Sequence, residues 1–288
     1  MGLLASLKRA SARSWTSHYE NILGTSLALR LTATSQATAQ RGEQAALAEI
    51  VRLEAIFSLF NPESELRRWQ GRARLSPELS ELLCACELWK ARTSGAFDVG
   101  GAWSWDGEWV TRLSDTPITL NAIAKGEIVD RACAAALASS PEVFEVVVNI
   151  GGDLVVRGEK AVLATVTDPR CDAQNAPPLA RVWLKNQALA TSGIGRRGLH
   201  LYDPRTGRAV EHIVSASVVA PSVRLADVLS TAYSVLTPQA SLVLAESEEG
   251  VACLLVTAAG TIIRSPRWAQ QEVTNAKEIV GELAGADD

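Results

Sequence analysis

The sequence predicts an α+β fold built as one domain, on three observations. Segments with strand character and segments with helical periodicity are interspersed without the regular strand–helix–strand beat of a parallel α/β sheet. No segment repeats along the chain. No stretch is rich enough in Pro, Gly or Ser to act as a linker. With 288 residues the chain has ample material for a large core.

Composition narrows the function classes. Hydrophobic residues make up 47% and charged residues 21% of the chain, the balance of a soluble globular protein. The net charge is −4 and no Lys/Arg run offsets it, which argues against nucleic acid as a partner. No stretch approaches the roughly 18 apolar residues of a membrane span, so no membrane insertion is expected. The cysteines, Cys84, Cys86, Cys133, Cys171 and Cys253, are odd in number, scattered and without zinc spacing. They read as buried free thiols of a reducing compartment. Lys8, Arg9 and Arg13 are not followed by an apolar run of signal-peptide length, so a cytoplasmic location is expected.

Residues 1–20 read as a loosely docked, flexible leader. Asn21 to Leu31 reads as a strand entered through a Gly24-Thr25 irregularity. Gln40 to Phe60 is a helix with Ala46, Ile50, Leu53, Ile56 and Phe57 as its buried stripe, ended by turn chemistry at Asn61-Pro62-Glu63-Ser64. Ser76-Pro77-Glu78 starts a second helix, Ser as N-cap and Pro at the first position, and Gly95 stops it. Gly95 to Gly107 is glycine-rich and carries Trp103 and Trp105, with Trp109 soon after, and Asp98 sits beside Gly100-Gly101. Glycine admits a ligand close to the backbone and tryptophan offers a stacking face. The alternative is a surface loop whose tryptophans fold back on the core.

Ile118 to Leu120 reads as a short strand, Asn121 to Gly126 as a small-residue turn carrying Lys125, and the residues to about Ser139 as a helix. That layout places anions at a helix N-terminus. Phe144 to Ile150 is a continuous apolar strand, central in its sheet. Asn149-Ile150-Gly151-Gly152-Asp153 has the composition of a hairpin turn. Strands follow at Leu154–Arg157, Val162–Thr167, Ala180–Leu184 and Leu189–Thr191. Thr191 to Gly198 is a second glycine-rich loop, and His200 and Asp203 flank a short strand.

The segment from Val218 to Leu236 organises the rest. Pro221 bars helix before it, Ser222 stands at the N-cap, and Leu225, Val228, Leu229, Ala232, Val235 and Leu236 recur at helical spacing. Asp227 and Thr231 fall one turn apart on one face. A carboxylate and a hydroxyl stacked in this way are hard oxygen ligands suited to Mg²⁺ or Ca²⁺. Arg224 and Asp227 are the only charges in this apolar stretch, so the helix is expected to be buried and its carboxylate to need a partner. A further helix from Pro238 to Glu246, a hairpin over Ala258-Ala259-Gly260 and a polar helical tail at 269–288 complete the chain.

These motifs stand in an order that resembles the ApbE-type FAD:protein FMN transferase family. They are Leu23-Gly24-Thr25, FNPESEL, Ser94–Asp98 (SGAFD), Ala122–Gly126 (AIAKG) followed by Val129-Asp130, Asn149–Asp153 (NIGGD), Ala190–Gly193 (ATSG), His200–Gly207 (HLYDPRTG) and Val218–Ala232 (VVAPSVRLADVLSTA). The resemblance covers about Leu23 to Arg267, and its domain runs from 21 to 268. It implies a two-lobed α+β fold with mixed or antiparallel sheets, flanking helices and a ligand cleft between the lobes.

It further implies Mg²⁺-dependent cleavage of FAD at its diphosphate, with FMN passed to a Thr or Ser hydroxyl of an acceptor flavoprotein and AMP released. By the same resemblance Mg²⁺ is held by Asp227 and Thr231 with backbone carbonyls of Ala122 and Ser230. Lys125, Asp98, Gly126, Asp130, Gly151, Gly152, Ser192, Gly193 and His200 form the FAD site, and His200, Lys125 and Asp227 act on the reacting diphosphate. The chain departs from the family pattern at Thr119, Asn121 and Ile194. Two alternatives therefore stay open, an FAD pyrophosphatase giving FMN and AMP and a non-catalytic flavin- or partner-binding relative.

Overall fold

The computed structural model describes residues 11–171, 176–193 and 202–274. In chain order these form β1 (Arg13–Ile22), β2 (Thr25–Ala33), α1 (Gln36–Phe57), α2 (Glu65–Arg68), β3 (Arg72–Ala73), α3 (Pro77–Arg92), β4 (Trp103–Asp106), β5 (Trp109–Arg112) and α4 (Asn121–Ala138). There follow β6 (Val143–Ile150), β7 (Asp153–Gly158), β8 (Val162–Val166), β9 (Ala180–Leu184), β10 (Ala188–Gly193), β11 (Tyr202–Asp203), β12 (Arg208–Ala209) and β13 (Ile213–Ala220). The last elements are α5 (Val223–Val235), α6 (Pro238–Ser247), β14 (Ala252–Thr257), β15 (Ile262–Arg264) and α7 (Pro266–Gln271).

The expected α+β class is present. Eight strands form one sheet in the order β1-β2-β6-β7-β10-β13-β14-β15, and every neighbouring pair in it is antiparallel. β6 is internal, as its unbroken apolar run requires.

Both faces of this sheet are covered, and the period-2 alternation shows how. Val146, Val148 and Ile150 of β6 join the core made with α1, α4 and α5, together with Ala216 and Val218 of β13 and Cys253 and Leu255 of β14. Their alternates, Val147, Val219, Leu254 and Val256, join a second cluster with Ala164, Val166, Val182 and Trp268. That second cluster packs the two-stranded ribbon β8–β9 and α7 on the face opposite α1, α4 and α5.

Helix starts follow the sequence. Ser35, Ser76, Ser222, Thr237 and Ser265 each accept a first-turn N–H with their hydroxyl, which satisfies one of the unpaired donors of a helix N-terminus.

Several expectations are corrected. The leader assigned to residues 1–20 contains a strand from Arg13 onward, β1, paired along β2 at the sheet edge. Its alternation leaves one side exposed, so it lacks the apolar density that marks an inner strand. Ile118–Leu120 is not a strand, and Asn121–Gly126 is not a turn. Ala122, Ile123, Ala124 and Lys125 lie inside α4, in keeping with the helix propensity of Ala and Lys. Gly126 is there for close packing. A Cβ on it would stand 2.6 Å from Arg224 Cα and 2.8 Å from Val223 C, so glycine is what lets α4 meet the start of α5. Of the thiols, Cys86, Cys133 and Cys253 are buried and Cys84 is exposed.

Candidate active site

α4 and α5 bring the chemistry together. Lys125 projects from the first turns of α4 and ion-pairs with Asp153 at the start of β7. Its Nζ is also 3.9 Å from Oδ2 of Asp227, on the second turn of α5. Both carboxylates are buried, at 2% and 4% exposure. Asp227 Oδ2 has no hydrogen-bond partner among the described residues. Burial, with the neighbouring Asp153 charge adding to it and Lys125 opposing it, pushes the Asp227 carboxyl up to about 7. Among the described residues, the Lys125 ammonium faces both of these buried carboxylates.

Thr231 follows Asp227 by one turn, as the spacing predicted. Its hydroxyl is 3.3 Å from Ser192 Oγ, which is itself 2.9 Å from Ser230 Oγ. Ser192 on β10 thus ties the strand to Ser230 and Thr231 of α5. Ser230 donates to the Asp227 carbonyl, and its own carbonyl accepts from Ser234. Ala122 lies in the first turn of α4.

Asp130 and Gly126 set how the two helices meet. The Asp130 carboxylate accepts the N–H groups of Val223 and Arg224, each at 3.0 Å, while Ser222 takes that of Leu225. Three N–H groups at the start of α5 are therefore satisfied. Burial holds the Asp130 carboxyl above its ordinary range, opposed by these two N–H groups.

A cleft of about 630 Å³ opens onto Lys125. It is bounded by the β1–β2 turn at Leu23-Gly24-Thr25, by Glu54 to Phe60 at the end of α1, by Asn121 and Ile128 of α4, and by Gly151. Gly151 has φ of +61°, and a Cβ there would press on Thr25 at 2.9 Å. Phe60 is 83% exposed at this rim, an aromatic face available for stacking. The volume suits a cofactor-sized ligand.

The remaining expected residues fall elsewhere or make structural contacts. Asp98 pairs with Lys90 at 2.7 Å and accepts Gly100 N–H at 2.9 Å, beside a separate cavity of about 210 Å³. Gly152 is exposed, its N–H on Asn149 Oδ1. A Cβ on Gly193 would stand 2.3 Å from the Val214 carbonyl, so strand packing dictates it. Thr119 binds the Val99 carbonyl through both its N–H and its hydroxyl. The tryptophan segment is a hairpin, β4–β5, with Trp105 on Glu87 and Trp109 under Arg72 and Arg74. It does not line the cleft. His200 and Ile194 lie outside the described residues.

Sequence reasoning missed Asp153, whose position in a Gly-Gly-Asp turn has an ordinary hairpin explanation. It also missed the rim from Glu54 to Phe60, which reaches the site through tertiary packing.

The profile of the ApbE family matches residues 23–106 and 102–255. The chain belongs to the ApbE family. The ApbE protein of Thermotoga maritima superposes with a TM-score of 0.78 at 25% identity, covering 91% of this chain and all of that one. The apo flavinyl transferase ApbE of Pseudomonas stutzeri superposes with a TM-score of 0.73 at 21% identity, covering 90% of this chain and 96% of that one, a likeness of fold. Among curated proteins, the FAD:protein FMN transferase of Escherichia coli K12 is 30% identical over 160 residues, 51% of this chain and 44% of that protein. That of Haemophilus influenzae is 28% identical over 179 residues, 58% and 51% respectively. The chain spans about half the length of the curated ApbE relatives it matches. No described helix is long and apolar enough to cross a membrane.

Proposed function

We propose that this chain is an FAD:protein FMN transferase that works with Mg²⁺ in the cytoplasm. The observation that carries the reading is the buried Asp227 Oδ2, without a hydrogen-bond partner among the described residues, beside Lys125 at a cofactor-sized cleft. Family membership and the names of the curated relatives support it.

The donor set suits Mg²⁺: a carboxylate and a hydroxyl, both hard oxygens, on one face of a rigid helix. Asp227 and Thr231 would hold it, with the carbonyls of Ala122 and Ser230. Those carbonyls belong to helical turns, so ligation would draw on their second lone pairs. The cation would neutralise charge on the diphosphate, the main task in phosphoryl transfer.

The chain's own residues do the rest. Lys125 places a positive charge at the cleft where a diphosphate would lie, held there by Asp153. Asp130 and Gly126 fix α5 against α4, so that Asp227 and Lys125 keep their spacing. Phe60, Leu23 and Gly151 shape the walls for the flavin. A Thr or Ser hydroxyl of the acceptor attacks the FMN-side phosphorus, the bond to the AMP oxygen breaks, and AMP leaves. His200 is the proposed acceptor of the hydroxyl proton.

Mass spectrometry of an acceptor incubated with the protein, FAD and Mg²⁺ tests the transfer. An FMN adduct on Thr or Ser supports it. Free FMN and AMP with no adduct would replace it with a pyrophosphatase. No turnover of any kind would leave a binding protein.

A further inference from the structure

On the sheet face opposite α1, α4 and α5 lies a second groove, of about 590 Å³. Its floor is the face of five adjacent strands, contributed by Thr16, Ala28, Val147, Leu154 and Thr191 among others. Its wall is formed by all six residues from Val162 to Thr167. Side chains of a strand alternate between faces, so a strand that lines a groove with consecutive residues meets it edge-on. Among the described residues β8 pairs with β9 and no other strand. Among the described residues its second edge is therefore an open row of backbone N–H and C=O groups.

We propose that this groove binds an extended polypeptide segment, which pairs with the open edge of β8 as a third strand of the ribbon, and that the segment belongs to the acceptor protein. The inference rests on the transferase reading.

Three observations favour an extended segment. Backbone groups in an open edge are matched by another extended backbone, the recognition mode of strand addition. The dimensions agree. Five residues of β8 span about 17 Å, and the four interstrand steps from β1 to β10 span about 19 Å. Arg30, also lining the groove, keeps Nε buried with no hydrogen-bond partner among the described residues, although its Nη2 pairs with Glu145 at 3.3 Å. A backbone carbonyl of an inserted strand would satisfy it.

The position of the groove favours the acceptor as occupant. Groove and cleft share the β6–β7 turn, where Gly151 lines the cleft and Gly152 the groove. They also share β10, where Thr191 lines the groove and Ser192 touches Thr231. A segment seated along β8 that passes Gly152 arrives at the cleft, where its hydroxyl is needed.

The test uses a degenerate nonapeptide library with a fixed central threonine, incubated with the full chain, FAD and Mg²⁺. The most strongly FMN-labelled peptide then serves as the probe. Two variants obstruct the groove without touching the cleft, Ala28→Trp on its floor and Thr16→Trp at an exposed position on β1. Both are expected to lower peptide labelling at least tenfold while FAD binding and peptide-independent AMP release stay within twofold of the parent. Hydrogen exchange at the amides of 162–167 is expected to slow when the probe is added. Unchanged labelling in both variants, unchanged exchange in β8, or FAD turnover with no labelled peptide would overturn the groove assignment while leaving the FAD site standing. Absence of FAD binding and of AMP release in the parent would overturn the transferase reading, and the acceptor groove with it.

Discussion

Lys125 Nζ ends 3.9 Å from Asp227 Oδ2, beyond hydrogen-bond reach, because its direct partner is Asp153. One ammonium is thus shared by two buried carboxylates, and the one on α5 is left electrostatically short. That shortage is the ground for the proposed divalent cation.

Asp227→Ala is expected to abolish Mg²⁺-dependent FAD turnover, by at least ~100-fold, since a cation stabilising the diphosphate contributes several kcal/mol and each ~1.4 kcal/mol is tenfold. The fold should persist, because the change removes a buried charge that Lys125 only partly compensates. Circular dichroism and an AMP assay check both halves. Retained Mg²⁺-dependent turnover would contradict the ligand assignment.

A linked pH dependence follows. The folded Asp227 carboxyl titrates at about 7, above an unfolded value of about 3.9. The folded state therefore holds its proton more tightly, and the contribution to stability is full below the unfolded value and lost as pH rises to about 7. In the absence of Mg²⁺, thermal stability of the parent should fall between pH 5 and 8 more than that of Asp227→Asn. Added Mg²⁺ should raise the parent's Tm more at pH 8 than at pH 5, and should leave the variant unmoved. Equal shifts at both pH values would count against this assignment.

Asp130→Ala removes the carboxylate that accepts the N–H groups of Val223 and Arg224. The loss of such a cap costs about 1 kcal/mol, or roughly 2–4 °C in Tm for a chain of this size. A weaker apparent affinity for Mg²⁺ is expected alongside, since α5 carries the proposed metal ligands Asp227 and Thr231. Asp130→Asn keeps an acceptor oxygen and should recover part of both losses. Thermal denaturation and Mg²⁺ titration of the two variants provide the check.

Gly126→Ala forces a Cβ to within 2.6 Å of backbone atoms of α5. Neither helix can yield locally, so overpacking is expected to cost about 1–3 kcal/mol and to move Lys125 relative to Asp227. Lowered Tm together with reduced turnover is the expected pair of readings. An unaltered Tm would show that the helices have room to part.

The elements that local chemistry determines were legible in the sequence. Ser222, the helical apolar spacing and the i, i+4 pair Asp227 and Thr231 located α5 and the face that carries this pair, because cap and period are properties of adjacent residues. The apolar run of β6 announced an internal strand for the same reason. What was not legible depends on contacts across the fold. Lys125 was singled out but placed in a turn, since Gly126 looks like a terminator unless the backbone of α5 beside it is known. Asp130 looks like a ligand residue until its carboxylate is found on the N-terminus of α5. Asp153 looks like hairpin chemistry until Lys125 is found opposite it. β1 reads as a leader because an edge strand with one exposed side has no apolar run. The edge of β8 left open among the described residues is invisible in sequence, because an unpaired edge is defined by the strand that is not beside it.

The decisive measurement is titration of the purified protein with FAD in the presence of an acceptor protein, with and without Mg²⁺, with AMP release and the FMN adduct on the acceptor assayed in the same mixtures. FAD binding, with AMP release and adduct formation that depend on Mg²⁺ and disappear in Asp227→Ala, is the expected result. FAD binding without AMP release at any Mg²⁺ concentration, or no binding at all, would contradict it and leave the buried Asp227–Lys125–Asp153 group as a structural feature of the fold.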